Sequence, residues 1–483
     1  MMRKHEQSEP DLFIYNFNLE KRIPSDHPLR AVLKAVDFDF IYAEVAHLYG
    51  TTGNPSVPPP IILKLMFLLF YYNVPSEREL MKLLPLRLDW LWFLGLGIES
   101  SVPDHSVLSK ARARWGEEAF RKFFAHVVTR CTRAGLVEGA TVFADASLVR
   151  ANASKDSVID RRLENYVEKK YRQLERRLDE PVEQRPLVST TDPQAAVVKK
   201  GKGHKAQPSY AEHRAVDAKA GIITATLTTP GSVNEAHLLT ELLDEHQANT
   251  HRTAEVAVAD SKYGTTENFL KLHDRGVRAH MPILSELQKG SNRREGIFDI
   301  SEFIYDEATD TYTCPAGKQL HRKKHKKKRK AHEYSADKKI CQGCALRDTC
   351  TRGSGPRTIK RHHRQKELDR MQRISHSAWA KRDIRRRKHV MEGSFADAAN
   401  NHGFKRSRWR GLQRVTIQNL IIAAVQNIRK LTTYAIRPTG EAQEVWEHVR
   451  KGLLVYPALP NPIVRALYSG IHFFQCRQLL FIN

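Results

Sequence analysis

Two aspartates occupy positions where a charged side chain is costly, because each stands in an apolar run typical of a buried β-strand. Asp145 lies inside "TVFADASLV" (141–149), and Asp260 ends "AEVAVAD" (254–260). A buried, unpaired carboxylate costs several kcal/mol, so each of them needs a counter-charge. Carboxylate oxygens are ligands that Mg²⁺ prefers, and two of them on neighbouring strands would share one site. Taken singly, each aspartate is more commonly a cap for the turn that follows its strand.

A third acid, Glu392, stands in a strongly basic segment that is predicted to be a helix. The segment reads "RDIRRRKHVMEGSFADAANNHGF" (382–404), and at helical spacing Arg385 and Lys388 share a face with Glu392. By itself this pattern fits an ordinary exposed Lys–Glu pair. Glu392 follows Asp260 by 132 residues, and Asp260 follows Asp145 by 115, so the second gap leaves room for an insertion.

Four of the six cysteines cluster between the second and third acids. Cys314, Cys341, Cys344 and Cys350 have the spacing C-x26-C-x2-C-x5-C, which contains one CxxC pair and a Cys-Pro-x-Gly turn. Four thiolates are a ligand set typical of structural zinc, and the spacing predicts such a site. Buried free thiols are the alternative.

The charge of the chain is strongly positive and unevenly distributed. The 483 residues include 79 Lys and Arg against 54 Asp and Glu, a net charge of +25. Between Arg352 and Arg414 there are 19 basic and five acidic residues, so this stretch alone contributes +14. An excess of this size indicates a polyphosphate partner such as DNA, although short charge runs are usually solvated faces.

The apolar segments do not predict export or membrane insertion. The first residues, "MMRKHEQSEPDLF", are polar, and the longest apolar run, residues 61–72, has 12 residues with Lys64 inside it. A bilayer-spanning helix needs about 20 apolar residues. We therefore expect a soluble cytoplasmic protein with no membrane partner.

The elements that must position the acids change type along the chain. Residues 27–135 read as helical, and Lys110, Arg112 and Arg114 make one helix basic, which suits DNA contact or plain solvent exposure. From residue 141 the order becomes β, ββ, α, β, α, β, which predicts a mixed α/β sheet with helices packed on it. We further expect a charged helix over 158–180, an irregular insertion over 290–350, and long helices at about 363–399 and 411–433.

The order and spacing of these segments resemble the bacterial insertion-sequence transposases of the DDE type. The resemblance covers nearly the whole chain. It rests on "HPLRAVLKAVD" (27–37), "SVPDHSVLSKARARW" (101–115), "VFADAS" (142–147), "TTDPQA" (190–195), "YAEHRAVDAKAGII" (210–223), "VADSKYG" (258–264), the cysteine-containing stretch and "EGSFADAANNHGFKRSRWRGLQRV" (392–415).

The resemblance implies a ribonuclease-H-like mixed sheet flanked by helices, an α+β or α/β fold, in which Asp145, Asp260 and Glu392 are the catalytic acids. It also implies two Mg²⁺ (or Mn²⁺) ions, with Asp145 bridging both, for attack by water and then by a 3′-OH on DNA. The expected partners are double-stranded DNA, as element ends and target, and further copies of the chain in a homodimer or higher oligomer. The expected location is the bacterial nucleoid.

The chain departs from the family pattern around Glu392. Related members often carry tyrosine and arginine seven and four residues before the glutamate, and lysine seven after it. Here these positions hold Arg385, Lys388 and Ala399. Lys388 could replace the arginine as a phosphate contact, whereas Asn400 or Lys405 would have to act in place of Ala399. Further phosphate contacts are expected from the stretch "KRSRWRG", through Lys405, Arg406, Arg408 and Arg410.

These patterns predict five regions. They are a helical DNA-end-binding domain (1–135), the first part of the catalytic domain (136–289, with a charged insertion at 156–209), the cysteine-containing insertion (290–360), the part that carries Glu392 (361–435), and a tail without interpretation (436–483). Besides an active transposase, two functions stay open: a DNA-binding protein derived from a transposase that has lost catalysis, and a stand-alone nuclease of the same fold.

Overall fold

Short helices make up the N-terminal region of the computed structural model, which describes residue 2 and residues 18–160, 187–199, 201, 203–284, 296–326 and 330–435. The chain divides into two units, residues 1–432 and 433–483, and only residues 433–435 of the second are described. The first helices are α1 (Leu19–Arg22), α2 (Pro28–Ala35), α3 (Ile41–Val45), α4 (Pro59–Tyr71), α5 (Glu77–Leu83), α6 (Leu88–Leu94), α7 (Ser106–Trp115) and α8 (Glu118–Arg133). The predicted helical N-terminal region is confirmed.

Local signals explain where two of these helices begin. Pro59 and Pro60 form the start of α4, where a residue without an N–H donor leaves no hydrogen bond unmade. The Ser76 hydroxyl accepts a hydrogen bond from the Glu79 amide and caps α5.

A mixed sheet follows the helices and holds both aspartates. Its strands are β1 (Thr141–Arg150), β4 (Ala196–Val198), β5 (Gln207–Asp217), β6 (Ile223–Pro230), β7 (Val256–Val258) and β8 (Arg278–His280). The order is β4-β5-β1-β7-β8, and β6 pairs with β5 as well. β5 is antiparallel to β1, β4 and β6, whereas β1, β7 and β8 run parallel. The predicted mixed α/β architecture is therefore confirmed.

Helices cover both faces of this sheet. One hydrophobic core joins Phe143 and Val149 of β1 to the N-terminal helices and to residues of the last two helices of the described chain. A second core, on the other face, joins Val142 and Ala144 to α9 (Leu239–Thr250) and α10 (Thr266–Asp274). Because successive side chains of a strand point to opposite faces, Asp145 lies on the same side of β1 as Phe143.

The segment that was predicted to be a charged helix begins as a strand. Val158 and Ile159 are β-branched, and β2 (Val158–Asp160) pairs antiparallel with β3 (Leu187–Ser189). The helix prediction is wrong for residues 158–160, and residues 161–180 lie outside the described part of the chain.

The cysteine-containing insertion is also more regular than predicted. Its described residues form an antiparallel sheet in the order β13-β12-β11-β10-β9, accompanied by two short helices. The elements are β9 (Ile304–Asp306), β10 (Thr311–Thr313), β11 (Gln319–Lys326), β12 (Ala331–Ser335), α11 (Lys338–Gln342), α12 (Arg347–Cys350) and β13 (Thr358–His362). Single buried residues from successive strands, such as Leu320, Tyr334 and Ile359, fill its small core, and the Lys and His residues around them hide the strands in the sequence.

The described chain ends in three helices, α13 (Gln365–His376), α14 (Ala378–His402) and α15 (Leu412–Ala435). The single helix predicted over 363–399 is interrupted at Ser377, whose extended backbone and hydroxyl cap α14. Among the described residues, no helix is both long and apolar enough to cross a membrane. The predicted domain boundaries stay a prediction, and the tail at 436–483 lies outside the description.

Candidate active site at two parallel strands

Strand register brings the two aspartates together. β1 pairs with β7 from Thr141 opposite Val256 to Phe143 opposite Val258. Asp145, within β1, and Asp260, just after β7, each lie two residues beyond the last of these pairs, so they stand at the same level. Neighbouring strands lie about 4.8 Å apart. The pairing of β1 with β7 thus brings together two aspartates that are 115 positions apart in the sequence.

Asp145 is held by a cationic side chain from α14. The Arg387 Nη1 donates a hydrogen bond of 2.6 Å to Asp145 Oδ2, and the Ala146 amide donates one of 2.8 Å to Oδ1. Burial raises the pKa of Asp145 above its usual value, Arg387 opposes this rise, and the charge of Asp260 adds to it. The carboxylates therefore act on each other directly, and Arg387 currently supplies the counter-charge.

A third carboxylate, Glu235, lies beside this pair and was not predicted. It begins a single 3-10 turn (Glu235–Leu238) just before α9, and its side chain is only 12% exposed. Lys262 Nζ lies 2.6 Å from Glu235 Oε1, while the Lys262 amide donates to Asp260 Oδ1 at 2.9 Å. Burial raises the pKa of Glu235, Lys262 lowers it, and the charges of Asp260 and Asp145 raise it further.

The turn after Asp260 carries a buried hydroxyl into the same region. Tyr263 is fully buried, and its hydroxyl has no hydrogen-bond partner among the described residues. Burial raises the pKa of Tyr263 well above its usual value, and the charges of Glu235, Asp145 and Asp260 act in the same direction. We call the region of Asp145, Asp260, Glu235 and Tyr263 the acidic pocket.

The acidic pocket has a rigid support on the side of this turn. The Tyr263 amide donates to the carbonyl of Asp260 and closes the turn. Gly264 follows, and a β-carbon there would collide with the carbonyl oxygen of Pro282, so only glycine fits. The Leu284 amide donates to the Gly264 carbonyl at 3.0 Å and fixes this close approach.

Glu392 is not brought into this group by the structure. It lies on α14, the helix that provides Arg387, but its side chain is exposed. Five residues after Arg387, it is about 7.5 Å farther along the axis and about 140° around it. Among the described residues, no three His, Cys, Asp or Glu side chains are placed so that they could hold a metal ion together.

The predicted basic contacts on α14 face solvent. Arg385 and Lys388 are exposed, and Arg385 Nε donates to the carbonyl of Lys381, one helical turn earlier. They lie about 20° and 40° around the helix from Glu392, so these three side chains share one exposed strip. Arg386 is exposed as well, and its guanidinium donates to the Ala218 carbonyl.

The stretch "KRSRWRG" runs beside the end of β1. The Arg150 amide donates to the Lys405 carbonyl, and Lys405 Nζ donates to Ser147 Oγ at 2.8 Å. Ser147 is two residues from Asp145 on the same face, about 6.6 Å along the strand. Arg406 is exposed beside it. Lys405 therefore lies near the pocket, whereas the Arg406 backbone pairs with that of Arg150 farther along β1.

The two other arginines of this stretch are engaged by the protein. Arg408 lies over the Phe70 ring at 4.4 Å and donates to the Leu69 carbonyl and to Asn73 Oδ1, and burial lowers its pKa to about 10. Arg410 is exposed and donates to the Asn152 carbonyl through Nε. Arg408 is thus part of the packing between the stretch and α4.

One predicted DNA contact is also a packing residue. Arg112 of α7 is buried, pairs with Glu77 and stacks on Trp409 at 3.8 Å, so this guanidinium is not open to DNA. A purely helical periodicity does not reveal it, because Trp409 is 297 residues later in the sequence.

A fully buried ion pair lies next to the acidic pocket and was also missed. Arg214 stands opposite Asp145 in the β1–β5 register, and its Nε is 2.9 Å from Glu212 Oε1, with both side chains 0% exposed. Arg214 Nη1 donates to Gln426 of α15, and its guanidinium faces the Phe395 ring of α14. The pair joins the sheet to both helices.

The four clustered cysteines share one cavity in the insertion. Cys314, Cys341, Cys344 and Cys350 all line it, together with apolar residues such as Phe303 and Leu320. Burial raises the pKa of the Cys350 thiol, and the other three cysteines raise it further. The Lys318 amide donates to Cys314 Sγ at 3.3 Å. The sulfurs are neighbours, although not in a metal-holding arrangement.

Two family models match the chain. A transposase domain (DUF772) matches residues 17–114, and a transposase DDE domain matches residues 313–432. The second range contains the four cysteines, Glu392 and the "KRSRWRG" stretch, whereas Asp145 and Asp260 lie between the two ranges. No curated protein sequence matches the chain significantly.

Among solved structures, the chain is similar to a piggyBac transposase in a synaptic complex with hairpin DNA, determined by cryo-EM. The identity is 10% over 90% of this chain and 84% of that chain, with a TM-score of 0.30. At this level the similarity adds no support for a shared fold. The two family matches show that residues 17–114 are similar to a transposase domain and that residues 313–432 are similar to a DDE transposase domain.

Proposed function

We propose that this protein cleaves DNA at the ends of an insertion sequence and transfers the freed strand to a target, in a divalent-metal-dependent reaction. The observation that carries the proposal is the placement of Asp145 and Asp260 side by side on parallel strands, with one carboxylate buried. The strand order β6-β5-β1-β7-β8, in which only β5 runs antiparallel to the others, supports a ribonuclease-H-like sheet.

The donors of the acidic pocket fit a divalent cation. Asp145 and Asp260 offer oxygen ligands, and the burial of Asp145 creates a need for positive charge that Arg387 meets in this structure. Bound there, Mg²⁺ or Mn²⁺ ions would activate the attacking oxygen and stabilise the leaving oxygen of the phosphodiester.

The cationic side chains around the pocket would then hold the DNA. Once Asp145 no longer needs Arg387, that guanidinium is available to a phosphate of the cut strand. Lys405 and Arg406 lie beside the end of β1, and Arg385 and Lys388 lie on the exposed strip of α14. Such contacts fix the position of the backbone without reading sequence. Double-stranded DNA and further copies of the chain are the proposed partners.

Glu392 remains our proposed third catalytic acid, and its position requires that α14 move before the three acids can meet. Because it points away from the sheet side of α14, it can meet Asp145 only if α14 turns or shifts about its axis when DNA binds. The Arg387–Asp145 ion pair is the contact that such a movement would release.

The test uses the full chain and double-stranded fragments of the DNA that flanks its gene. With Mg²⁺ or Mn²⁺ we expect cuts at a defined position on each flank that leave 3′-OH ends, and none with a chelator. Glu392→Gln should abolish cutting and leave binding nearly intact, because it removes a metal ligand but no phosphate contact. Cutting at scattered positions would indicate a stand-alone nuclease instead.

One observation favours a second function, DNA binding without catalysis. In this structure Asp145 is neutralised by Arg387, and Glu392 is exposed, an arrangement that an inactive descendant of a transposase could also keep. Specific binding to the flanking DNA without any divalent-ion-dependent cutting would support this function and overturn the first.

We also propose that Cys314, Cys341, Cys344 and Cys350 hold a structural zinc ion. Their common cavity and their mutual effect on the pKa of Cys350 support this, and four thiolates are a usual zinc set. Metal analysis of the purified full chain should give one zinc per chain. If hydrogen exchange shows that the protein is folded, and it contains less than one zinc per chain, the cysteines are packed thiols and not zinc ligands.

A further inference from the structure

The structure supplies a third carboxylate beside Asp145 and Asp260 that is not Glu392. We propose that Glu235 belongs to the acidic pocket and raises its affinity for a divalent cation; this rests on the function proposed above. Glu235 is largely buried, and Lys262 links it to Asp260 through an ion pair on one side and an amide hydrogen bond on the other.

A buried amide fixes Glu235 relative to the aspartate turn. Asn268 Nδ2 donates to the Ala236 carbonyl, next to Glu235, and to the Tyr263 carbonyl, both at 2.9 Å. Asn268 is 3% exposed, so both hydrogen bonds are shielded from water. Glu235 and the turn after Asp260 are therefore one rigid support, although they are 25 residues apart.

The Tyr263 hydroxyl gives an independent indication that the pocket takes a ligand. Buried polar atoms in folded proteins nearly always have a partner, and this hydroxyl has none among the described residues. The charges of Glu235, Asp145 and Asp260 all act on it. A hydrated cation between these carboxylates would bring oxygen atoms that this hydroxyl can bond.

Glu235 would act as a positioning residue. In this structure the Lys262 ammonium forms an ion pair with the Glu235 carboxylate, as the Arg387 guanidinium does with that of Asp145. A divalent cation competes with both, and the freed Glu235 carboxylate accepts a hydrogen bond from water on the cation. Loss of such an outer carboxylate typically weakens metal affinity by about 10- to 100-fold.

The experiment titrates Mn²⁺ alone into the full chain without DNA, so that its readout is binding and not activity. Glu235→Gln should weaken Mn²⁺ binding about 10-fold. The matched control is Glu267→Gln, since Glu267 also pairs with a lysine, with Lys271 Nζ at 2.9 Å, but outside the pocket. This control should bind Mn²⁺ like the unaltered chain.

A second variant tests whether Glu235 acts through its own charge or only by holding Lys262 in place. If Glu235 mattered only because it holds Lys262, Lys262→Ala would weaken Mn²⁺ binding too. Under the proposal, Lys262→Ala removes a competing positive charge and tightens binding several-fold. Weakening by both variants, with unchanged melting temperatures, would overturn the proposal.

The Asp145→Asn variant distinguishes failure of the Glu235 proposal from failure of the proposed function. If it loses Mn²⁺ binding while Glu235→Gln binds normally, Glu235 is not part of the site, and the proposed function is untouched. If Asp145→Asn itself binds Mn²⁺ with unaltered affinity, the acidic pocket is not the metal site, and both proposals fail.

Discussion

The central sheet and the sheet of the cysteine-containing insertion both gather residues that are distant in sequence, but with very different amounts of core. Around the central sheet, two large hydrophobic clusters cover both faces, and the aspartates follow strands whose register is fixed by them. In the described part of the insertion, the cluster has six buried residues, Phe303, Tyr312, Leu320, Tyr334, Ala336 and Ile359.

This difference separates two ways of building a site. The acidic pocket is formed by packing around the central sheet, and Arg387 and Lys262 pair with two of its carboxylates. A core as small as that of the insertion provides little stability on its own. We therefore expect the insertion to depend on its metal ion, and the central sheet to be independent of one.

Zinc removal should give the largest effect and should be confined to the insertion. Structural zinc contributes about 10 kcal/mol or more to the folding of isolated zinc-finger peptides. Chelation should therefore accelerate amide hydrogen exchange by orders of magnitude in β9–β13 and leave β1, β5 and β7 unchanged. Equal acceleration in both sheets would show that they unfold as one unit. Cys344→Ser should reproduce the chelation pattern without chelator.

The converse variant is aimed at the central sheet. Arg214→Met removes one partner of the buried Glu212–Arg214 pair and leaves a carboxylate without a counter-charge, which should cost about 3–5 kcal/mol of unfolding free energy. Adding Glu212→Gln should recover a large part of this loss. Denaturant-induced unfolding measures the unfolding free energy of both variants. An Arg214→Met loss below about 1 kcal/mol would mean that the pair contributes little to stability.

Lys388→Ala should have a moderate effect on DNA binding and none on stability. It removes one proposed phosphate contact from the exposed strip of α14, so the slope of log binding constant against log salt should fall by about one unit. Lys366→Ala is the control, because that exposed lysine pairs with Glu307 away from the strip. An unchanged slope for Lys388→Ala would exclude this contact.

Tyr263→Phe should give the smallest change in stability, yet a clear change in function. It removes a buried hydroxyl without a partner, so the free energy of unfolding should stay the same or rise slightly, within about 1 kcal/mol. If the hydroxyl serves a ligand in the acidic pocket, Mn²⁺ binding should weaken all the same. A loss of stability with normal Mn²⁺ binding would make it a packing residue.

Sequence patterns revealed the residues whose environment is local and missed those whose partners are distant. Asp145 and Asp260 were predictable because a charge inside an apolar strand is visible in a few letters. Arg387 was not distinguishable from Arg385 and Arg386, since only the packing of α14 on β1 decides which of three adjacent arginines reaches Asp145.

The same limit explains the other differences. Glu235 precedes an ordinary helix, and only Asn268 and Lys262 bring it to Asp260. The insertion was predicted to be irregular because each of its strands contributes few apolar residues to the core, among many basic ones. Helical spacing predicted that Glu392 shares a face with Lys388, which agrees with the exposed strip, but spacing cannot tell whether that face meets the sheet.

The central claim, that the acidic pocket carries out metal-dependent DNA cleavage, is tested most directly by one rate. The cleavage rate of flanking DNA with Mg²⁺ should fall about 1,000-fold or more in Asp145→Asn, equivalent to about 4 kcal/mol of transition-state stabilisation. DNA binding should persist, and Asp244→Asn, which alters an exposed aspartate paired with Arg275, should cut normally. Cleavage by Asp145→Asn at the rate of the unaltered chain would contradict the account.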